Sequence, residues 1–259
     1  MMYNRTSGTV LASTRGRITI LTINRPSKMN SLTQQVIDEG RAACQALAAS
    51  DDVDVVILTG SGKAFCAGLD LDALGGGAIK VDGDLIEDVR SLPQTTIAAV
   101  NGPAVAGGLE LALACDIRMG SSEARFADTH VRVGVPPGAG ASVMLPRLVG
   151  IGRAREMSLS GRFVLAAEAE RWGLLNRVVG EDVLGASMEL AEQIAAHGPF
   201  ARRIKAQMNE TLDLNVTDGI LRERQIVASF MSTFDPDDVP RGIKASSTGA
   251  KRSQQHETQ

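Results

Sequence analysis

Aromatic residues are scarce in this chain. Phe, Trp and Tyr together make up 3% of its 259 residues, with one Trp and one Tyr. The core must therefore be built from Ala, Val, Leu and Ile, and stacking platforms for single-stranded nucleic acid are not expected. An excess of either charge is also missing. The formal net charge is −3, with no basic groove for a phosphate backbone and no dominant acidic tail, so no nucleic-acid partner is expected. Lys251 and Arg252 stand on a polar tail and read as solvated. The three cysteines, Cys44, Cys66 and Cys115, match no zinc spacing, and their odd number argues against a disulfide framework. Reduced, mostly buried thiols in a cytoplasmic protein are the expectation, with no metal. No basic region followed by an apolar run marks a signal peptide. No apolar stretch is long enough to span a membrane. The longest, Thr96 to Ala114, is interrupted by Asn101, Gly102, Pro103 and Glu110. A Gly-x-Gly-x-x-Gly after a strand and a phosphate-binding Lys loop are both absent, so dinucleotide and nucleoside triphosphate sites are unsupported.

With 44% hydrophobic and 22% charged residues, the chain has enough apolar material for one large domain with a substantial core. Val10–Ala12 and Ile18–Ile23 read as strands around the turn-prone Arg15-Gly16. Ser31 followed by Gln34 resembles a capping box. It opens a helical stripe through Val36, Ala43 and Leu47 that Asp51–Asp54 closes. Val55–Thr59 and Thr96–Val100 are continuous apolar runs, which suit strands covered on both faces. Gly75-Gly76-Gly77, with Gly83 close behind, predicts a mobile loop. Helices are predicted over 84–91, 107–114, 141–148, 152–159 and 166–173. Short strands are predicted at 117–120, 124–126 and 178–179. From Val183 the pattern is helical to about Thr233. Pro236 and Pro240 break it, and the end from Ser246 should fray. Alternating strands and helices argue for an α/β class.

Three segments can carry chemistry. Gly107-Gly108-Leu109-Glu110 opens a helix, where unpaired N–H groups and a partial positive charge can hold an oxygen that gains negative charge. Adjacent glycines let a ligand approach the backbone, and Glu110 lies in the first turn to act on neighbouring atoms. On an otherwise apolar helix that carboxylate is either on the one exposed edge or buried for use. The second segment, Lys63–Leu71, is a strand-to-helix connection that Asp70 can cap. The third is Phe126-Ala127-Asp128-Thr129-His130, followed by Gly134-Val135-Pro136-Pro137-Gly138-Ala139-Gly140.

In order along the chain stand Arg25-Pro26-x-Lys28-x-Asn30-x-Leu32, Lys63-Ala64-Phe65-x-Ala67-Gly68-x-Asp70 and Asn101-Gly102-x-Ala104-x-x-Gly107-Gly108-x-Glu110-Leu111. Cys115-Asp116, Pro137-Gly138-Ala139-Gly140 and Gly173-Leu174-Leu175-x-x-Val178-Val179 follow, then Phe230-x-Ser232-Thr233 and Gly242. This ordered set resembles the enoyl-CoA hydratase/isomerase, or crotonase, family over nearly the whole chain. The resemblance implies a crotonase-like superhelix of strand–strand–helix units. Residues 1–195 would form the core that binds the coenzyme A thioester and carries catalysis. Residues 196–259 would form a helical C-terminal region that builds a homotrimer or hexamer. It also implies an acyl-CoA substrate, with coenzyme A part of that substrate and no separate cofactor.

The family holds the thioester oxygen on two backbone N–H groups, which by motif match belong to Leu69 and Gly107. Ala67, Gly68, Leu69, Asp70 and Leu71 would line the adenine and pantetheine portion, with Arg25 and Lys28 near its nucleotide end. Pro137 and Gly138 would face the reacting carbons. Family hydratases flank the site with two glutamates. The first aligns with Glu110, and the second with His130. This departure keeps a second proton carrier but alters reach and basicity. The reaction expected is hydration of a 2-enoyl-CoA to a 3-hydroxyacyl-CoA by general acid–base chemistry at Glu110 and His130, and His130→Glu is expected to speed it. Isomerisation or another family reaction using Glu110 alone is the alternative. A non-catalytic acyl-CoA-binding protein is the reading from another class.

Overall fold

The computed structural model describes residues 3–79 and 84–235. Residues 80–83 of the glycine-rich stretch, Pro236, Pro240, Gly242, Lys251, Arg252 and the tail from Ser246 lie outside the described residues.

Strands β1 (Val10–Arg15) and β2 (Ile18–Ile23) form an antiparallel hairpin, turning at Gly16 with a φ of +57°. Helix α1 (Gln34–Ala48) leads to β3 (Val55–Gly60). Then come α2 (Leu71–Gly75), α3 (Asp84–Arg90), β4 (Thr95–Val100), β5 (Pro103–Val105), α4 (Gly107–Ala114), β6 (Ile117–Gly120), β7 (Arg125–Ala127) and α5 (His130–Val133). The chain continues through α6 (Ala141–Val149), α7 (Ile151–Ser160), β8 (Val164–Leu165), α8 (Ala166–Trp172), β9 (Arg177–Val178) and α9 (Val183–Ala195). It ends in α10 (Pro199–Thr211) and α11 (Val216–Met231). The α/β class expected from the alternation is the one observed. The helix α1 is capped by Thr33, whose side chain accepts from the Val36 N–H, and not by Ser31. Ser31 instead donates its hydroxyl to Asp70.

The larger sheet has the order β1-β2-β3-β4-β6-β9 and is parallel from β2 onward. Every residue of β3 and β4 is buried. Side chains alternate between the two faces of a strand. Val56, Leu58, Ala98 and Val100 thus join a core with residues of α1, α3 and α4. Val55, Ile57, Ile97 and Ala99 join a second core that includes Val183 and Ala191 of α9. The unbroken apolar runs follow from that double coverage. Cys44, Cys66 and Cys115 are free and buried, and burial pushes each thiol up to about 12.

A small sheet of order β5-β7-β8 positions the site. β5 and β7 are parallel, with Ala104 opposite Phe126 and Val105 opposite Ala127. Their carboxyl ends therefore lie side by side, one running into α4 and the other into α5. Ligands of α/β folds gather at such strand ends.

The described residues divide into two compact units, with the boundary between Lys205 and Ala206. In the first, the Lys205 ammonium group bonds the carbonyls of Leu92 and Gln94 and pairs with Asp116. Arg202 likewise pairs with Asp54. In the second unit, Asn215 caps α11 by accepting from the Asp218 N–H, and Arg222 pairs with Glu210.

Candidate active site

Helix α4 is buried at every position, Glu110 included, which is 3% exposed. A buried carboxylate needs hydrogen-bond donors. Two come from the start of α6: the backbone N–H groups of Ala139 and Ala141 donate to Glu110 Oε1 at 2.8 and 3.1 Å. They fix the carboxyl group, and Arg90 holds their loop by donating to the Ala139 carbonyl. Glu110 Oε2 faces His130 Nε2 at 3.8 Å. That is longer than a hydrogen bond and close enough for the Glu110 charge to act on the imidazole.

His130 begins α5, one residue beyond Thr129. Its Nδ1 lies 2.6 Å from Asp128 Oδ1, at hydrogen-bond distance. Asp128 is 1% exposed and also accepts from the Ser158 side chain. The hydrogen bond to Asp128 raises the His130 pKa above its ordinary value. Burial opposes the rise, and the Glu110 charge adds to it. Burial pushes the Asp128 carboxyl up, but its hydrogen bonds from His130 and Ser158 outweigh this and hold it below the usual carboxylate range.

The backbone completes the site. Gly68 C=O accepts from the Leu32 N–H, and Asp70 N–H donates to Leu32 C=O. Backbone groups alternate sides along an extended segment, so the Leu69 N–H points away from Leu32. Gly107 is the first residue of α4, where an N–H has no acceptor within the helix. The turn that aims it places Ala106 at φ +48°, uncommon for a residue with a side chain. The two segments nearly touch. A Cβ added to Gly68, which has φ +87°, would lie 2.8 Å from Val105 O and 3.2 Å from Gly107 N. One cavity of about 190 Å³ joins these parts. Leu69, Gly107, Glu110, His130, Ala67 and Gly138 line it, and Ile37, Leu74, Leu85 and Ile86 add aliphatic wall.

The model of the family described as Enoyl-CoA hydratase/isomerase matches residues 13–250. The chain belongs to the enoyl-CoA hydratase/isomerase family. A probable enoyl-CoA hydratase of Rhizobium meliloti is 39% identical over 245 residues, covering 92% of this chain and 94% of that one. A short-chain-enoyl-CoA hydratase of Clostridium acetobutylicum is 33% identical, over 88% and 92% of the two chains. The crystal structure of an enoyl-CoA hydratase from Bacillus anthracis matches with a TM-score of 0.85 at 32% identity, covering 92% of this chain and 96% of that one. The fold is therefore crotonase-like, and the chain is an enzyme of the hydratase/isomerase kind.

Of the residues expected at this family site, Ala67, Leu69, Leu71, Gly107, Glu110, His130 and Gly138 line the cavity. Arg25, Lys28, Gly68, Asp70 and Pro137 do not. The Arg25 guanidinium is spent on Ser31 and Asp70, and Asp70 caps α2 by accepting from the Ala73 N–H. Lys28, more exposed, reaches Asp72 at 3.6 Å. Three functional groups escaped the sequence reading: the N–H groups of Ala139 and Ala141, and Asp128 as the partner of His130. Asp128 was visible, two residues before His130, but only the turn at Thr129 brings the two side chains together.

Proposed function

We propose that the chain hydrates a 2-enoyl-CoA to a 3-hydroxyacyl-CoA. The observation that carries this reading is the pair Glu110 and His130, facing each other across 3.8 Å in a cavity lined mostly by apolar residues. The Leu69 and Gly107 N–H groups would hold the thioester oxygen, where each well-aimed donor is worth about 2.7–4 kcal/mol in the transition state. Glu110 Oε2 takes a proton from water while the water oxygen bonds to the β carbon. The π electrons move toward the thioester oxygen. His130 Nε2–H then gives its proton to the α carbon. The aliphatic wall of the cavity suits a hydrocarbon acyl tail, and the exposed Lys28 suits the nucleotide end of the coenzyme. Assembly into three or six copies and a cytoplasmic location belong to the same reading. Among the described residues no helix is long and apolar enough to cross a membrane.

The test is crotonyl-CoA in D₂O. Hydration removes the conjugated thioester absorbance and leaves deuterium at the α carbon. If absorbance instead appears from a 3-enoyl-CoA while crotonyl-CoA stays unhydrated, the enzyme is an isomerase and this reading falls. Ligand protection against heat without turnover would mark a binder.

A further inference from the structure

Asp128 does not line the cavity, yet it is buried and bound to a residue that does. We propose that Asp128 is a positioning residue that fixes the tautomer of His130, so that the imidazole always presents Nε2 to Glu110 and the substrate. This rests on the hydration reading for its catalytic consequence. The geometry carries it: the 2.6 Å contact commits Nδ1 to Asp128 in every protonation state. A neutral imidazole has one N–H, so neutral His130 turns a bare Nε2 lone pair toward Glu110 Oε2. Two acceptors then face each other at 3.8 Å, and one shared proton relieves the conflict. With Asp128 ionised, that proton gives the trio a net charge of −1, held on Nε2 or on Oε2. A neutral His130 with no aspartate partner would instead be free to put its only proton on Nε2.

The relay also restores the enzyme. After hydration Glu110 holds the proton taken from water, and His130 Nε2 has lost its own. Passing that proton from Oε2 to Nε2 returns both groups to their starting state, and no other proton is needed. The charges acting on His130 are Asp128, at the end of β7, and Glu110, on α4. Helix α7 brings the uncharged Ser158 to Asp128, while its charged residues Arg153, Arg155 and Glu156 are exposed. Arg132, on α5 itself, is exposed as well.

Nitrogen-15 NMR of the full chain tests this, because the sequence holds only three histidines, at 130, 197 and 256. Neutral His130 is expected to carry its proton on Nδ1. In Asp128→Asn, His130 is expected to titrate at lower pH than in the parent. The variant's kcat on crotonyl-CoA should fall at least about tenfold with KM little changed, and the alkaline limb of its kcat profile should move to lower pH. An Nε2–H tautomer in the parent chain, or unchanged titration in the variant, overturns the proposal. Should the variant not fold, the parent tautomer decides alone. If the parent hydrates nothing, the hydration reading fails, while the NMR result still judges Asp128.

Discussion

At the scale of single residues, His130, which stands where the resemblance implies a second glutamate, involves a third group. Glu110 was legible in the sequence: a carboxylate in the first turn of an apolar helix is either at an edge or buried for use, and here it is buried. The role of Asp128 was not legible, because it depends on a side-chain pairing that local pattern does not encode. That pairing changes what a glutamate at position 130 would do. His130→Glu leaves Asp128 buried without its imidazole and gathers three carboxyl groups, whose mutual repulsion disfavours ionisation. The single change should therefore fail to speed hydration. Adding Asp128→Asn to His130→Glu should raise the rate by about tenfold or more over His130→Glu alone, a part of the roughly 10²–10⁴-fold that a positioned acid contributes. Crotonyl-CoA turnover by both variants checks this; equal rates would show that Asp128 does not restrain position 130.

At the scale of elements, the glycines divide by their surroundings. Helix α4 packs so closely on the segment around Cys66 that a Cβ at Gly108 would lie 2.0 Å from the Cys66 carbonyl oxygen. Backbone cannot yield as a side-chain tip can, so Gly108→Ala should destabilise the fold by about 1–3 kcal/mol or more. Gly138→Ala meets nothing within 4 Å and should change stability by less than about 0.5 kcal/mol. Denaturant melts of the two variants check the contrast, and equal losses would contradict it. Most strands and helices were legible because α1 keeps its apolar period and β3 and β4 are unbroken apolar runs. The small sheet was only partly so, since β5 and β8 have three and two residues, too few to show a period. The cap of α1 was placed two residues early because Ser31 is drawn to Asp70, a partner far away in sequence.

At the scale of the whole molecule, the site leaves a mark on stability. The lowered Asp128 pKa contributes stability that is present above the unfolded carboxyl value of about 3.9 and is lost as pH falls through the folded value. The raised His130 pKa contributes stability that is fully present below about 6.5 and is lost as pH rises through the folded value. Both operate fully between roughly pH 4 and 6.5. The Tm deficit of Asp128→Asn should be largest in that window and shrink on either side; a deficit independent of pH would contradict the linkage. The central claim concerns the reaction that this molecule directs through Glu110, and one comparison tests it most directly. Crotonyl-CoA is mixed in D₂O with the parent enzyme and with Glu110→Gln, whose amide oxygen can still accept from Ala139 and Ala141. The parent should yield α-deuterated 3-hydroxybutyryl-CoA, and the folded variant should lose about 10²–10⁴ of that rate. Undiminished hydration by Glu110→Gln would contradict the account.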